Sequence, residues 1–397
     1  MQTIYCKILF LPLLFAGMTV GSIPVRAQGD MRFLRDVEQN NTTLKALRES
    51  TEAQQLANKT GAGLPNPDVG VDYFWGAPAA TGNRTDFSLR QSFDVATLTG
   101  MKSRAADRQN RLVDMQFRAD RMAILQEAAL YGVEIIYYNI LRKELFQRLR
   151  YAEMLVDGYA KRLQNGYATM PEYHKAKRYL SSTQGELARA DVERAALLAE
   201  LQRLNGGITI TLDDDSYGDD LLPSDFESWF ADVASRHPAL EYARQDVVYN
   251  KQNRTLNRAQ NWPSFSVGFV SEQTVGQRYQ GVSLGLSIPL WENRRRVKQA
   301  AAAVRAAEAR QTDAALQLYT RLQTACYRAQ SLRAIAAGYR QSQTSADNTE
   351  RLQKALDAGE ISLLEYLMEM ELYYAALQQT LDAERDYRKA ATLLLVY

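Results

Sequence analysis

Gly281-Val282-Ser283-Leu284-Gly285 has the spacing of a nucleophile elbow, the strained strand-to-helix turn that exposes a serine hydroxyl for acyl transfer. That chemistry needs a histidine base later in the chain, and the last histidine is His237. Ser283 also lies inside a run that alternates as a strand does, so the motif is not read as a site. Asp213-Asp214-Asp215, with Asp219 and Asp220 behind them, could hold a cation, but next to Pro223 they read more simply as a solvated loop. Met170 with His174, and Met368 with Met370, are soft ligands of the kind that suit Cu(I). Methionine at helical spacing is more often packing. Two histidines and two cysteines leave little from which to build a zinc site or a histidine-based centre. No catalytic residue, cofactor or resident metal is expected, and the chain does not read as an enzyme.

Charge excludes another class. Of 48 basic residues, Lys7 and Arg26 precede residue 28, and the remaining 46 balance 46 acids. A chain of zero net charge lacks the bulk electrostatic footprint for nucleic acid. Arg294-Arg295-Arg296 is therefore read as a subunit contact or a membrane rim. Lys7, the apolar stretch from Ile8 to Val20, and the run ending Val25-Arg26-Ala27 have the order of a secretory signal, with cleavage expected after Ala27. Cys6 leaves with that signal and is not placed as a lipidation cysteine would be. Cys326 then stands alone, so packing or assembly must replace disulfides. No later apolar run is long enough for a transmembrane helix.

The chain resembles itself. Leu44 and Leu240, and Pro67 and Pro263, are 196 residues apart; Ser88-Leu89 and Ser283-Leu284 are 195 apart. The segment Asn165 to Tyr173 matches Ala358 to Tyr366 at 193. We expect two structural repeats after a signal at 1–27. The first, 28–215, carries a short helix, strands at about 68–75 and 86–95, and long helices at about 97–163 and 171–204. The second, 216–397, carries a short helix at about 238–261, strands at about 263–271 and 281–288, and long helices at about 292–345 and 361–395.

The four strand segments alternate with a period of two, which gives one apolar and one wet face. Val69, Val71, Tyr73 and Trp75 interleave with Gly70, Asp72 and Phe74. Phe87, Leu89, Phe93 and Val95 interleave with Ser88, Arg90, Ser92 and Asp94, with Gln91 the one polar intruder. Phe265, Val267 and Phe269 alternate with serine and glycine, as do Val282, Leu284, Leu286 and Ile288. The segments are as long as tilted membrane strands, and the chain supplies no second sheet to cover them. Loops at Gly76–Thr85 and Glu272–Gln280 make each pair a hairpin. Four strands cannot close a barrel, and an open edge in hydrocarbon leaves backbone groups unpaired at several kcal/mol each. If the strands enter lipid, several copies must complete the barrel.

The helices are too long for a compact domain. Positions 112, 119, 126, 133 and 140, and 115, 122, 129 and 136, are apolar except Gln126, a coiled-coil seam. Some 65 residues of helix extend on the order of 100 Å. Each hairpin tip has a glycine followed by a capping box: Thr169-Met170-Pro171-Glu172 and Ser362-Leu363-Leu364-Glu365. The two glutamates are read either as caps or as functional acids.

Three segments, Asn261–Phe269 (NWPSFSVGF), Gly281–Val304 (GVSLGLSIPLWENRRRVKQAAAAV) and Ala358–Leu367 (AGEISLLEYL), together with the duplicated order, make the mature chain similar to the TolC-type outer-membrane efflux proteins of Gram-negative bacteria. The resemblance implies a mainly α fold with a small β portion, in which each repeat is a strand hairpin plus a long coiled-coil hairpin. It implies a homotrimer whose twelve strands form one outer-membrane barrel in lipid, continued by a periplasmic α-helical barrel. It implies the exit duct of a tripartite efflux pump or type I secretion system, working with an inner-membrane pump and a periplasmic adaptor. Adaptor docking then falls to the tips at Gly166, Tyr167, Gly359 and Glu360, and the entrance constriction to Glu172, Glu365 and Glu369. Where members of the family have a second acid, this chain has Met368, beside Glu369. Where some have a Tyr and Arg latch, it has Leu356 and Ile361. The lipid-facing barrel residues are Phe87, Leu89, Phe93, Phe265, Val267, Phe269, Val282, Leu284, Leu286 and Ile288. The other reading is a periplasmic coiled-coil adaptor or scaffold without a barrel.

Overall fold

The stretch between Gly100 and Asn165 contains no proline, and it forms one helix of 64 residues, Met101–Gln164. The computed structural model describes residues 32–218, 222–291, 294–346 and 349–395. The expected signal, 1–27, lies outside them, as do Asp219 and Asp220. In chain order the elements are α1 (Phe33–Asn40), α2 (Thr42–Lys59), β1 (Asp68–Phe74), β2 (Arg84–Phe93), α3 (Val95–Leu98), α4 (Met101–Gln164) and α5 (Met170–Leu204). There follow α6 (Phe226–Arg236), α7 (Pro238–Ala259), β3 (Ser264–Thr274), β4 (Gln277–Ser287), α8 (Arg294–Ala346), α9 (Thr349–Ala358) and α10 (Leu363–Thr392). Helix pair, strand hairpin and long helical hairpin thus occur twice in the same order.

Several boundaries differ from the sequence reading; β2, for one, spans Arg84–Phe93 and not 86–95, so Val95 opens α3. The long helix starts at Met101, not near 97, because Asp94 caps the four-residue α3, accepting from the Thr97 N–H at 2.8 Å. Gly100 then turns the chain at φ 67°, a left-handed conformation that glycine adopts without steric cost. The expected loop at Glu272–Gln280 shrinks to Val275-Gly276, since Glu272 pairs with Tyr279 and Gln273 with Arg278. Polar side chains there reflect surroundings, not loss of the ladder.

The sheet runs β1-β2-β3-β4, all antiparallel, so β2 of the first half is bonded directly to β3 of the second. Among the described residues three apolar clusters hold the helices. One packs α1 against α4 and α5, one packs α6 against α8 and the end of α10, and one joins the two hairpin tips. None contains a strand residue.

All nine positions of the expected α4 seam are buried or half-buried. A second stripe, Leu125, Ala128, Gly132 and Ile135, is equally buried, because α4 also carries α1. A Cβ built on Gly132 would lie 2.6 Å from Cζ of the buried Phe33. We expect Gly132→Ala to destabilise the fold by about 1–3 kcal/mol through overpacking, measured by thermal unfolding. Phe33→Leu in the same chain should restore much of the loss. An unchanged midpoint for Gly132→Ala would show that the ring has room to move.

Candidate functional site: an exposed apolar sheet and two helical tips

Residues directly opposed on an antiparallel ladder project to one side. The pairing therefore builds rows across the sheet: Val69–Leu89–Phe269–Val282, Gln91–Val267–Leu284 and Phe93–Phe265–Leu286, with Val71 and Phe87 beside Ser271. Every barrel residue expected to face lipid within the strands falls on this one face; Ile288 follows just after β4. Val282 is 74% and Leu284 81% exposed, and all the others are exposed too except the half-buried Phe93. A soluble chain does not leave so large an apolar surface in water without a partner for it.

The other face is mostly polar, with small residues at its centre and Phe74, Val270 and Tyr279 as its large apolar or aromatic members. Gly70 opposes Ser88, Gly268 opposes Ser283, and Gly285 opposes Ser266. A Cβ on Gly268 would lie 2.6 Å from both the Leu89 carbonyl oxygen and Ser283 Oγ, so the strands approach where only glycine fits. Ser283, the serine of the elbow-like spacing, is an ordinary strand residue on this face, as its alternation implied. Arg84, Asp86 and Glu272 form a polar cluster here, Arg84 reaching Asp86 at 2.6 Å and Glu272 at 3.1 Å. The sequence reading missed that cluster. Trp262 and Trp291 flank the sheet at its helix end and Trp75 lies at the far end, all exposed. Their position at strand termini was the signal for that pattern.

The tips are built alike. Gly166 and Gly359 take φ 76° and 75°. Beyond them Tyr167 N–H donates to the Arg162 carbonyl at 2.7 Å and Glu360 N–H to the Ala355 carbonyl at 2.9 Å, a left-handed helix stop closed twice over. Tyr167 is 84% exposed. Glu172 accepts from the Thr169 N–H at 2.7 Å, and Glu365 from the Ser362 N–H at 2.8 Å. These backbone bonds, helped by the cap side chains, hold both carboxyls below the usual carboxylate range. Both acids are therefore caps of their own helices. Glu369 is exposed one turn beyond Glu365, on the same side of α10. Leu356 and Ile361 join the apolar tip cluster with Leu155, Leu363 and Tyr366, which sets the two tips side by side.

The remaining candidates disperse. Asp213 pairs with Arg194 at 2.9 Å and Asp215 with Lys143 at 2.7 Å, so two acids of the run are tied within the chain. Met370 is buried in the tip cluster while Met170 and Met368 are exposed. Among the described residues no group of three His, Cys, Asp or Glu could hold a metal ion. No described helix is long and apolar enough to cross a membrane.

No protein-family profile matches the chain. No curated protein matches it either. Solved structures do. CusC, whose structure concerns transmembrane channel formation, superposes with TM-score 0.73 at 18% identity, over 91% of this chain and 90% of that one. VceC, an outer membrane protein of Vibrio cholerae, gives 0.72 at 15%, over 91% and 94%. The CmeC outer membrane channel of Campylobacter jejuni gives 0.69 at 17%, over 91% and 82%. The chain has the outer-membrane channel fold. Within that fold the exposed sheet and the first tip lie at opposite ends of the 64-residue α4, and α8 followed by α9 leads from the sheet to the second tip.

Proposed function

We propose that the chain is the outer-membrane exit duct of a tripartite efflux pump or type I secretion system, with a long periplasmic portion. The observation that carries this is the apolar face of β1–β4, continuous across four strands and, among the described residues, uncovered by any core cluster and bounded by two unpaired edges. Three copies would pair β4 of one with β1 of the next, close twelve strands into a barrel and leave no edge in lipid. The apolar face then meets the acyl chains, Trp75, Trp262 and Trp291 mark the two interfaces, and the small glycine–serine face lines the bore. Arg294–Arg296 follow Trp291 and are assigned to the periplasmic rim. The helices of both repeats, 28–215 and 216–397, continue the bore as a periplasmic tunnel. A scaffold without a barrel gives the exposed sheet nothing to do.

Solute would pass down the bore without chemistry, driven by an inner-membrane pump. A periplasmic adaptor would grip Gly166, Tyr167, Gly359 and Glu360, and opening would part the hairpins near Glu172, Glu365 and Glu369. Three copies of Glu365 form an acidic ring that favours cations. In purified trimers reconstituted in planar bilayers, Glu365→Gln should lower cation selectivity and relieve divalent-ion block. Glutamine preserves the capping box, so the change reports charge and not helix fraying. Currents and block identical to the parent would remove Glu365 from the constriction, and a chain that neither fractionates with the outer membrane nor conducts would end the duct reading.

A further inference from the structure

Between the tips and the middle of the helices, α4 presents Glu144 and Tyr151 to a cavity of about 320 Å³ walled on its other side by Tyr366, Tyr373 and Tyr374 of α10. A second cavity of about 250 Å³ adjoins it and shares Glu144 and Tyr374. Glu144 is half-buried. Among the described residues its carboxylate accepts no hydrogen bond and meets no cation within 4.0 Å.

That isolation is built in. The arginine one turn on, Arg148, is placed to pair with Glu144 along the helix, but it is committed elsewhere. Its Nη1 donates to Glu186 at 2.7 Å and its Nε to Tyr179 Oη at 3.1 Å. Its guanidinium lies 4.6 Å from the Tyr374 ring centre and 5.1 Å from that of Tyr179. Lys143 is held by Asp215. On α9, one acid and one base, Glu350 and Lys354, also border the cavity. Glu144 is left as a desolvated acid among tyrosine rings, and burial holds its carboxyl above the usual range despite Lys143 nearby.

We propose that this cavity is a binding site for an organic cation, a quaternary or bulky protonated amine, with Glu144 as counter-ion and the tyrosine rings as walls. Ring quadrupoles attract a cation, most strongly where it is desolvated. A volume near the lower end of the ligand-pocket range suits a compact molecule rather than a bare ion. A metal ion would want several hard ligands at once, and among the described residues no group of three His, Cys, Asp or Glu could hold one. The site lies within a single chain and does not depend on the duct reading.

The test is calorimetric titration of benzyltrimethylammonium into the full chain in detergent, with benzenesulfonate as an anion of similar size. We expect saturable binding of the cation and none of the anion. Glu144→Gln, nearly isosteric, should weaken binding at least about tenfold, and Tyr373→Leu should also weaken it. Circular dichroism and unboiled gels would verify that both variants keep the parent's fold and assembly. Equal affinity in Glu144→Gln overturns the proposal. So does the lack of saturable heat at millimolar cation, which is also the result if a basic side chain of a second copy fills the cavity.

Discussion

Val282→Arg is expected to prevent stable assembly in the outer membrane. Val282 lies mid-strand in β4, on the row Val69–Leu89–Phe269–Val282, and is exposed in the single chain. An arginine at the middle of a lipid-facing strand costs about 2–4 kcal/mol, and in the proposed barrel every copy would bear that cost. Ser283→Arg, one residue along and so at nearly the same depth, projects from the glycine–serine face and should cost far less. The pair separates position on a face from position along the strand. The measurements are the heat-resistant oligomer on unboiled gels and the share of protein recovered with outer membranes. Equal tolerance of both substitutions would mean that the apolar face does not contact lipid.

The second large effect is expected far from the sheet. Arg388 of α10 donates to the Gly218 carbonyl at 2.8 Å, lies over Tyr217 and Tyr387 at 5.2 and 5.1 Å, and sits 3.6 Å from Glu384. The Arg388 and Glu384 side chains are largely buried. Removing one member of a buried pair strands the other and typically costs about 3–5 kcal/mol. For Arg388→Ala we expect about 3 kcal/mol, the lower end, because Glu384 keeps Arg340 as a partner. Since Tyr217 Oη donates to the Val133 carbonyl of α4, the loss should also loosen the segment that leaves α5. Thermal unfolding reads the effect, and a paired Arg388→Met, Glu384→Leu chain should recover much of it. A midpoint for Arg388→Ala within a degree of the parent would show that Arg388 has replaceable contacts.

Much of this architecture was legible because its signals are local and periodic. The alternation of β4 over Val282, Leu284 and Leu286 names its apolar face before any pairing is known, and the ladder then places the same residues in rows with β3. Thr169-x-x-Glu172 and Ser362-x-x-Glu365 announce helix starts that the backbone adopts. What was hidden depends on partners distant in sequence. Gly132 reads as an isolated glycine until Phe33, a hundred residues earlier, is seen against it. Gln273 and Arg278 read as loop because polarity was taken for a lack of strand; their backbones pair regardless. Glu144 carried no motif at all. Its significance comes from Arg148 turning to Glu186 and Tyr179 on another helix.

The two strand hairpins end unequally at the edge of the sheet away from the helices. β3 and β4 close with Val275-Gly276 alone, whereas nine residues, 75–83, join β1 to β2 and fold back until Gly82 abuts Val275. In the proposed orientation that short cap, with Trp75 on its shoulder, is nearly all of the polypeptide visible from outside the cell. If three copies assemble as proposed, an antibody or a phage would find only a small knob, repeated three times, to hold.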